Sequence, residues 1–249
     1  MAVLLLLLCS VAAASPAAKH MVDMTHVFNE TTRHYYEMRQ FNLTTLQNGI
    51  TENGYWLRFE EYSSGIHVGT HMDAPAHFAE TGLTIDQIPL QRLIAPAAVI
   101  DIRARAELDP DAQVTMEDLL KWESETGHRL DECVVLMNSG WGAKWGNQTA
   151  FIGSADAKTL RFPGISEEAA LWLVKNRNAF GVGVDTLSLD RGISVNYEAH
   201  QVILGHGMYG MENVANLDQI PIYGATLYML PMKIGNASGA PVRIIATFP

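Results

Sequence analysis

The chain is poor in cysteine, in basic residues and in long apolar runs, and each shortage removes a class of protein. Of its two cysteines, Cys9 lies in an N-terminal run that reads as a leader, which leaves Cys133 without an internal disulfide partner. Cys133 opens the apolar run Cys133-Val-Val-Leu-Met137, the pattern of a buried strand, so its thiol reads as a core group and not as a nucleophile. A secreted chain without disulfides must rest on its core, on self-association or on bound metal. Lys and Arg number 17 against 27 Asp and Glu, for a formal net charge of −10, the wrong sign for a nucleic-acid partner. No Gly-x-Ser-x-Gly elbow occurs, which disfavours a serine hydrolase of that type. No repeat, linker or low-complexity segment divides the chain, so its 249 residues are expected to hold one domain of mixed α/β class.

What is present begins with a targeting segment. Val3–Ala14 is apolar but, at 12 residues, too short to span a bilayer, and small residues and Pro16 follow it. Residues 1–18 are therefore expected to be a signal peptide, with Ala14 or Ala18 at the cleavage site, and residues 19–249 the mature domain. The start lacks the usual Lys or Arg; the same lack argues against a mitochondrial leader, which needs arginines. Sequons at Asn29, Asn42, Asn147 and Asn236 fit the secretory route and a secreted or lumenal glycoprotein. Beyond the leader no apolar run is long enough for a membrane helix, so no membrane association is expected after cleavage.

Met21–His26 reads as a first strand and residues 29–50 as a polar loop or irregular helix. Tyr55–Tyr62 alternates aromatic with polar residues and is expected to pair with the strand leading into residue 67. Residues 79–93 read as loop with a turn of helix. Buried strands are expected at Ala97–Ile102, Cys133–Asn138 and Phe180–Asp185. Helices are expected from Met116 to Thr126 behind Thr115, and from Ser166 to about Asn176 with acidic residues in the first turn. Residues 139–162 form a Gly- and Trp-bearing loop long enough to be functional. A helix over Val195–Leu204 closed by Gly205, strands near 207–212 and 225–230, and a last strand over Val242–Phe248 complete the reading.

The chemistry concentrates in residues 67 to 78, His67-Val-Gly-Thr-His71-Met-Asp73-Ala-Pro75-Ala-His77-Phe78. Its ionisable residues are all odd-numbered, so an extended chain would project them from one face. A helix would turn Asp73 away from His67 and His71, and Gly69 and Pro75 oppose a helix interior. In a straight strand His67 and His71 would stand roughly 13 Å apart at Cα, near the limit for sharing one ion. A bend at Gly69 shortens that distance. The expectation is a bent strand presenting His67, His71 and Asp73 to a metal, followed by a turn at Pro75 that carries His77. A site with three such ligands lacks a fourth, or two more if it holds two ions; His200 and Glu212 lie far along the chain and neither stands out alone.

These residues, in this order, resemble the signature of the cyclase superfamily that contains bacterial-type kynurenine formamidases and isatin hydrolases. The resemblance extends through Asp23-x-Thr-His26, Gly183-Val-Asp185-Thr-x-Ser188-x-Asp190, His200 to Asn213, Asn216 to Pro221, Leu230 to Lys233 and Gly239 to Arg243, essentially the whole mature chain. It implies a swivelling β/β/α fold and a homodimer or larger assembly. Carried over, it places His67, His71 and Asp73 on one divalent ion. Asp73 would bridge to a second ion held by His200 and Glu212, and His77 would be the catalytic histidine. The step of 12 residues from His200 to Glu212 fits the formamidase branch, whereas isatin hydrolases depart at the glutamate and use one manganese ion. The donor set suits Zn2+, with Mn2+ as the alternative.

The expected activity is hydrolysis of the formamide C–N bond of N-formylkynurenine or a similar small aromatic amide, as in tryptophan catabolism. An ion held by imidazole and carboxylate lowers the pKa of its water to ~7 and stabilises the developing oxyanion, and His77 moves the proton to the leaving amine. The alternatives are hydrolysis of a cyclic amide or lactone such as isatin, and a secreted binding protein on a retired enzyme fold. The last predicts a missing ligand or a missing His77, and none is missing. Trp56, Tyr62, Trp141 and Trp145 are candidate pocket walls, and His26 a candidate for the pocket lining. His206 reads as a turn residue, and Asp185 and Asp190 as buried turn caps.

Overall fold

The computed structural model describes residues 20–35, 37–156 and 159–249. The leader expected over residues 1–18 lies outside them. Among the described residues, twelve strands and six α-helices follow one another. The first half holds β1 (His20–Asp23), β2 (Asn42–Ile50), β3 (Trp56–Ser63), β4 (His71–Asp73), α1 (Leu90–Leu93), β5 (Ile94–Asp101), α2 (Arg103–Leu108), β6 (Gln113–Val114) and α3 (Met116–Thr126). The second holds β7 (Val134–Asn138), α4 (Gln148–Ile152), β8 (Gly164–Ile165), α5 (Glu167–Asn176), β9 (Gly181–Val184), α6 (Glu198–Gly205), β10 (Tyr209–Glu212), β11 (Thr226–Pro231) and β12 (Gly239–Phe248).

The main sheet closes on itself. Its order is β12-β11-β5-β7-β9-β10-β4, and the first residues of β12 pair with β4 to complete the ring. β1 then pairs with the far end of β12. Strands β5, β7, β9 and β10 run parallel, and the remaining pairs of the ring are antiparallel.

Alternation along the strands feeds two cores. Ala97, Val99, Leu136, Met72, Met211, Met229 and Ile244 fill the barrel. Ala98, Ile100, Val135, Met137, Val182 and Val184 face outward beneath α3, α5 and α6, against Leu119, Trp122, Leu173, Ile203 and Leu204. Burial on both faces explains why β5 and β7 read as unbroken apolar runs. Cys133 belongs to the outer core, where burial pushes its thiol up to about 12, consistent with an inert core residue.

Local signals set the helix ends. The Thr115 hydroxyl accepts from the Asp118 amide and the Asp118 carboxylate accepts from the Thr115 amide, so a capping box starts α3; Gly127, with φ of 71°, ends it. The Ser166 hydroxyl caps α5 by accepting from Ala169 N–H.

Two expectations fail in the same region. Residues 42–50 form a strand, not loop or irregular helix, and Tyr55–Tyr62 pairs with that strand and not with the one leading to residue 67. The two make a separate hairpin exposed on both faces, so neither strand shows the one-sided burial that marks a strand in sequence. The helix expected to begin at Val195 begins at Glu198, after Tyr197 in the left-handed region. All four sequon asparagines are exposed.

Candidate metal centre

β4 and β10 are antiparallel neighbours with Glu212 opposite His71 and Gly210 opposite Asp73. Met72 and Met211 point into the barrel, so His71, Asp73 and Glu212 are carried out on the other face. There His200, buried on α6, comes down between them. His67 reaches the same place because the chain bends at Gly69, which has φ of 63°. A Cβ at Gly69 would lie 2.7 Å from Phe28 and 2.8 Å from Thr32, so both conformation and space call for glycine. Gly239 on β12 is similarly restricted, since a Cβ there would stand 2.7 Å from the His67 ring. Pro75–His77 forms one tight turn that swings His77 over the site, where its ring stacks on His67 at 4.0 Å.

The structure thus brings together all six residues that the sequence nominates. Two overlapping groups, His67–His71–Asp73 and Asp73–His200–Glu212, each have ligand atoms within 4.8 Å of one another, and Asp73 belongs to both. His71 Nε2 lies 3.2 Å from Asp73 Oδ1 and 3.4 Å from Glu212 Oε2. His200 Nε2 lies 3.0 Å from Glu212 Oε1 and 3.5 Å from Asp73 Oδ2. Two tetrahedral ligands each about 2.1 Å from an ion stand about 3.4 Å apart, so these separations suit a shared ion.

The other ring nitrogens are occupied in a way that directs the ligand atoms inward. His71 Nδ1 is 2.9 Å from the Gly69 carbonyl, so it must carry the proton. His200 Nδ1 is 2.6 Å from Asp190 Oδ2, and the same carboxylate accepts the Ala199 and His200 amides at the start of α6. Both rings therefore turn Nε2 to the centre, the orientation metal-bound imidazoles take when a carbonyl or carboxylate holds the far nitrogen. His67 differs: Nδ1 is 2.6 Å from Asp73 Oδ1 and Nε2 is 2.9 Å from Ser238 Oγ.

The donor set fits a divalent ion. His71 Nε2 and Asp73 Oδ2 are buried without a hydrogen-bond partner, a costly state for polar atoms that a metal would relieve. Without an ion, the site holds protons instead. Burial disfavours charge on His71, yet Asp73 and Glu212 raise its pKa to about 9. Burial likewise opposes charge on His200, but Asp190, Asp73 and Glu212 hold its pKa well above the usual imidazole range. Burial works against the Asp73 carboxylate too, and His71 with its imidazole neighbours overcomes this to keep it ionised. His77 behaves oppositely. Burial dominates and lowers it to about 4, so its ring is neutral at pH 7 and can accept a proton.

A cavity of about 230 Å³ opens onto these groups, walled by Tyr35, Met38, Phe78, Ser188 and Tyr197. The tryptophans and Tyr62 nominated as walls are elsewhere. Trp56 and Tyr62 sit on the β2–β3 hairpin, and Trp141 and Trp145 pack with Phe151 in a separate apolar cluster. His26 stacks on Trp145 at 3.9 Å, outside this cavity, and burial with nearby Arg33 lowers it to about 4. Asp185 is a buried cap that accepts from Ser139, Trp141 and Gly142. His206 follows α6 as an exposed turn residue. Asp190, by contrast, is a cap that also orients a site histidine. Tyr35, Tyr197 and Ser238 escaped the sequence reading; a lone Tyr or Ser carries no spacing signal, and only the fold delivers it here.

A fold of outward-facing imidazoles and carboxylates on a closed sheet, with a small cavity above, defines a metal-site scaffold, and comparison assigns the lineage. The family model described as "Putative cyclase" matches residues 22–191, and the chain belongs to the cyclase family. It is 34% identical over 194 residues to the isatin hydrolase of Roseibium aggregatum, covering 74% of this chain and 73% of that protein. It is 29% identical over 180 residues to the kynurenine formamidase of Polaromonas naphthalenivorans, covering 72% and 70%. The structure of isatin hydrolase A from Ralstonia solanacearum superposes with a TM-score of 0.85 at 29% identity, over 93% of this chain and 92% of that one. The chain is thus a cyclase-family hydrolase of mixed α/β fold, and its His, Asp and Glu groups can bind a metal.

Proposed function

We propose that the chain is a metal-dependent arylformamidase that cleaves the formamide C–N bond of N-formylkynurenine or a similar small aryl formamide, giving formate and the amine. The observation that carries this reading is the second ligand group, in which Glu212 and His200 meet Asp73 across the site of His71. In this reading His67, His71 and Asp73 would hold one ion, His200 and Glu212 would hold a second, and Asp73 would serve both. His67 would exchange its hydrogen bond to Asp73 for the metal. Zn2+ suits the donors best, and Mn2+ is the alternative. The ions would supply an activated water near neutral pH and a Lewis acid for the carbonyl oxygen.

The chain supplies position and proton movement. Gly69 and Asp190 hold the Nδ1 protons of His71 and His200, which aims both Nε2 atoms inward as the ligand atoms. The aromatic walls Phe78, Tyr197 and Tyr35 bind a planar ring and exclude water. Burial keeps the Tyr35 hydroxyl protonated, so it serves as a neutral donor. His77, neutral at pH 7, accepts the proton of the nucleophile and returns it to the departing nitrogen.

A second reading, opening of a cyclic aryl amide, is favoured by the 34% identity to an isatin hydrolase. Metal-depleted and reconstituted protein assayed on N-formylkynurenine, isatin and simple lactones separates the two. Turnover that survives full chelation contradicts both. We further propose that the protein is exported and glycosylated, in keeping with the apolar N-terminal run and four exposed sequons; N-terminal sequencing and a mass shift on deglycosylation test this.

A further inference from the structure

The cavity above the ligand groups has a charge pattern that metal binding alone does not explain. Three carboxylates line it among the described residues: Asp73, Glu212 and Glu37. Asp73 and Glu212 are buried and engaged by the imidazoles of the site, His67 Nδ1 standing 2.6 Å from Asp73 and His200 Nε2 3.0 Å from Glu212. Glu37 differs. It is exposed at the rim, and among the described residues no ion pair or hydrogen bond occupies its carboxylate. No Lys or Arg stands in the described lining, and the whole chain carries a formal net charge of −10.

The walls decide what reaches that rim. Met38 N–H donates to the Tyr35 carbonyl at 2.9 Å, a tight turn that brings Tyr35, Glu37 and Met38 to the cavity together. Phe78 and Tyr197 supply further wall, with ring centroids 5.9 Å apart. Tyr197 holds a left-handed backbone with φ of 55°, a conformation that persists in a non-glycine residue only where its surroundings fix it. Ser194 fixes it: its hydroxyl accepts the Tyr197 N–H at 3.2 Å and donates to Glu198 at 2.6 Å. The cavity of about 230 Å³ is smaller than the ~300–1,000 Å³ of pockets that take drug-sized ligands, so it suits one ring with a short side chain.

A formyl group held at the buried ligands, with its ring against Phe78 and Tyr197, leaves the ring's side chain to face the rim. An ammonium group there meets Glu37. A carboxylate there meets another carboxylate and no cationic side chain, and it would compete with the formyl oxygen for any bound ion. Juxtaposed like charges are how a site rejects a close analogue of its substrate.

We propose that Glu37 is a specificity-determining residue that selects aryl formamides whose side chain ends in an ammonium group and disfavours those ending in a carboxylate. The proposal rests on the formamidase reading and narrows it, within small aryl formamides, to formylated aryl amines with a basic side chain. Its test is steady-state kinetics of the metal-loaded full chain on four 2-formamidophenyl ketones. They differ only at the end of the side chain: methyl, ammonium, carboxylate, or ammonium and carboxylate together as in N-formylkynurenine. For the wild type the ammonium member is expected to have the highest kcat/KM and the carboxylate member the lowest. In Glu37→Gln the ammonium-to-methyl ratio of kcat/KM should fall about 2–5-fold, the worth of an exposed ion pair, and the fall should lie in KM because Glu37 does not touch the reacting carbonyl. Added salt should narrow the wild-type ratio in the same direction. In Glu37→Lys the carboxylate member should overtake the ammonium member. A ratio that Glu37→Gln leaves as it was, or a carboxylate-bearing member turned over faster than the ammonium member by the wild type, overturns the proposal. Turnover of none of the four counts against the formamidase reading instead. Selectivity is then read by calorimetric titration of the four deformylated ketones: tighter binding of the ammonium member to wild type than to Glu37→Gln is expected, and equal binding overturns the proposal.

Discussion

The two ligand groups that share Asp73 are built in contrasting ways. His67, His71 and Asp73 come from one stretch of seven residues, bent at Gly69, and the nitrogen of His71 that faces away is held by a neighbouring backbone carbonyl. His200 and Glu212 come from a helix and a strand that meet the first group only in the folded chain, and His200 is held by a carboxylate, Asp190. The first group is local and pinned by backbone; the second is assembled and pinned by another side chain. A carbonyl cannot be mutated away, whereas Asp190 can, so the second group is the one whose preorganisation can be removed without touching a ligand.

The contrast can be broken most completely at the residue common to both groups. Asp73→Asn is expected to abolish metal binding in both and to lower kcat/KM by about 10³–10⁵-fold, the worth of several kcal/mol of metal catalysis. Metal content by mass spectrometry and initial rates check this together. His77→Ala separates chemistry from ligation. It should lower kcat by about 10²–10⁴-fold while metal content stays at the wild-type level.

Asp190→Asn sharpens the comparison further. It should weaken metal affinity about 10–100-fold at the Asp73–His200–Glu212 group and leave the His67–His71–Asp73 group close to wild type. Titration calorimetry would resolve this as the loss of one binding phase with the other retained.

Protons give a subtler contrast. In the metal-free chain His71 has a pKa raised to about 9, so at pH 7 it carries a proton that a metal must displace. Proton release on metal binding, read by calorimetry in buffers of different ionisation enthalpy, is therefore expected at pH 7 and should fall as pH passes 9. The sign for stability is the same: a folded pKa above the unfolded value of about 6.5 stabilises the metal-free chain below that pH, and the gain is lost as pH rises through about 9. The smallest effect is Ser238→Ala, which removes one partner of His67 and should cost about 0.5–1.5 kcal/mol in stability by thermal unfolding.

How much of this was legible in the sequence follows the same division between local and assembled. The period-two spacing of His71 and Asp73, the glycine bend and the Pro75 turn are local, and the fold realises each of them. The buried strands at 97–102 and 133–138 and the capped helix at 116–126 were equally plain, because apolar runs and capping residues act over short range. His200 and Glu212 were readable only through family resemblance, since nothing near them in sequence hints that β10 lies beside β4. Asp190 read as a turn cap and is one, but its second role exists only because α6 begins against it. The β2–β3 hairpin was misread because period-two reasoning assumes one face in a core and the other in water. This hairpin meets water on both.

The most direct test of the central claim, that Asp73 joins two ion sites, is the count of ions per chain in wild-type protein and in His200→Ala, measured by elemental mass spectrometry after equilibration with Zn2+. The account predicts two ions per chain in the wild type and one in His200→Ala. One ion per chain in both would contradict it.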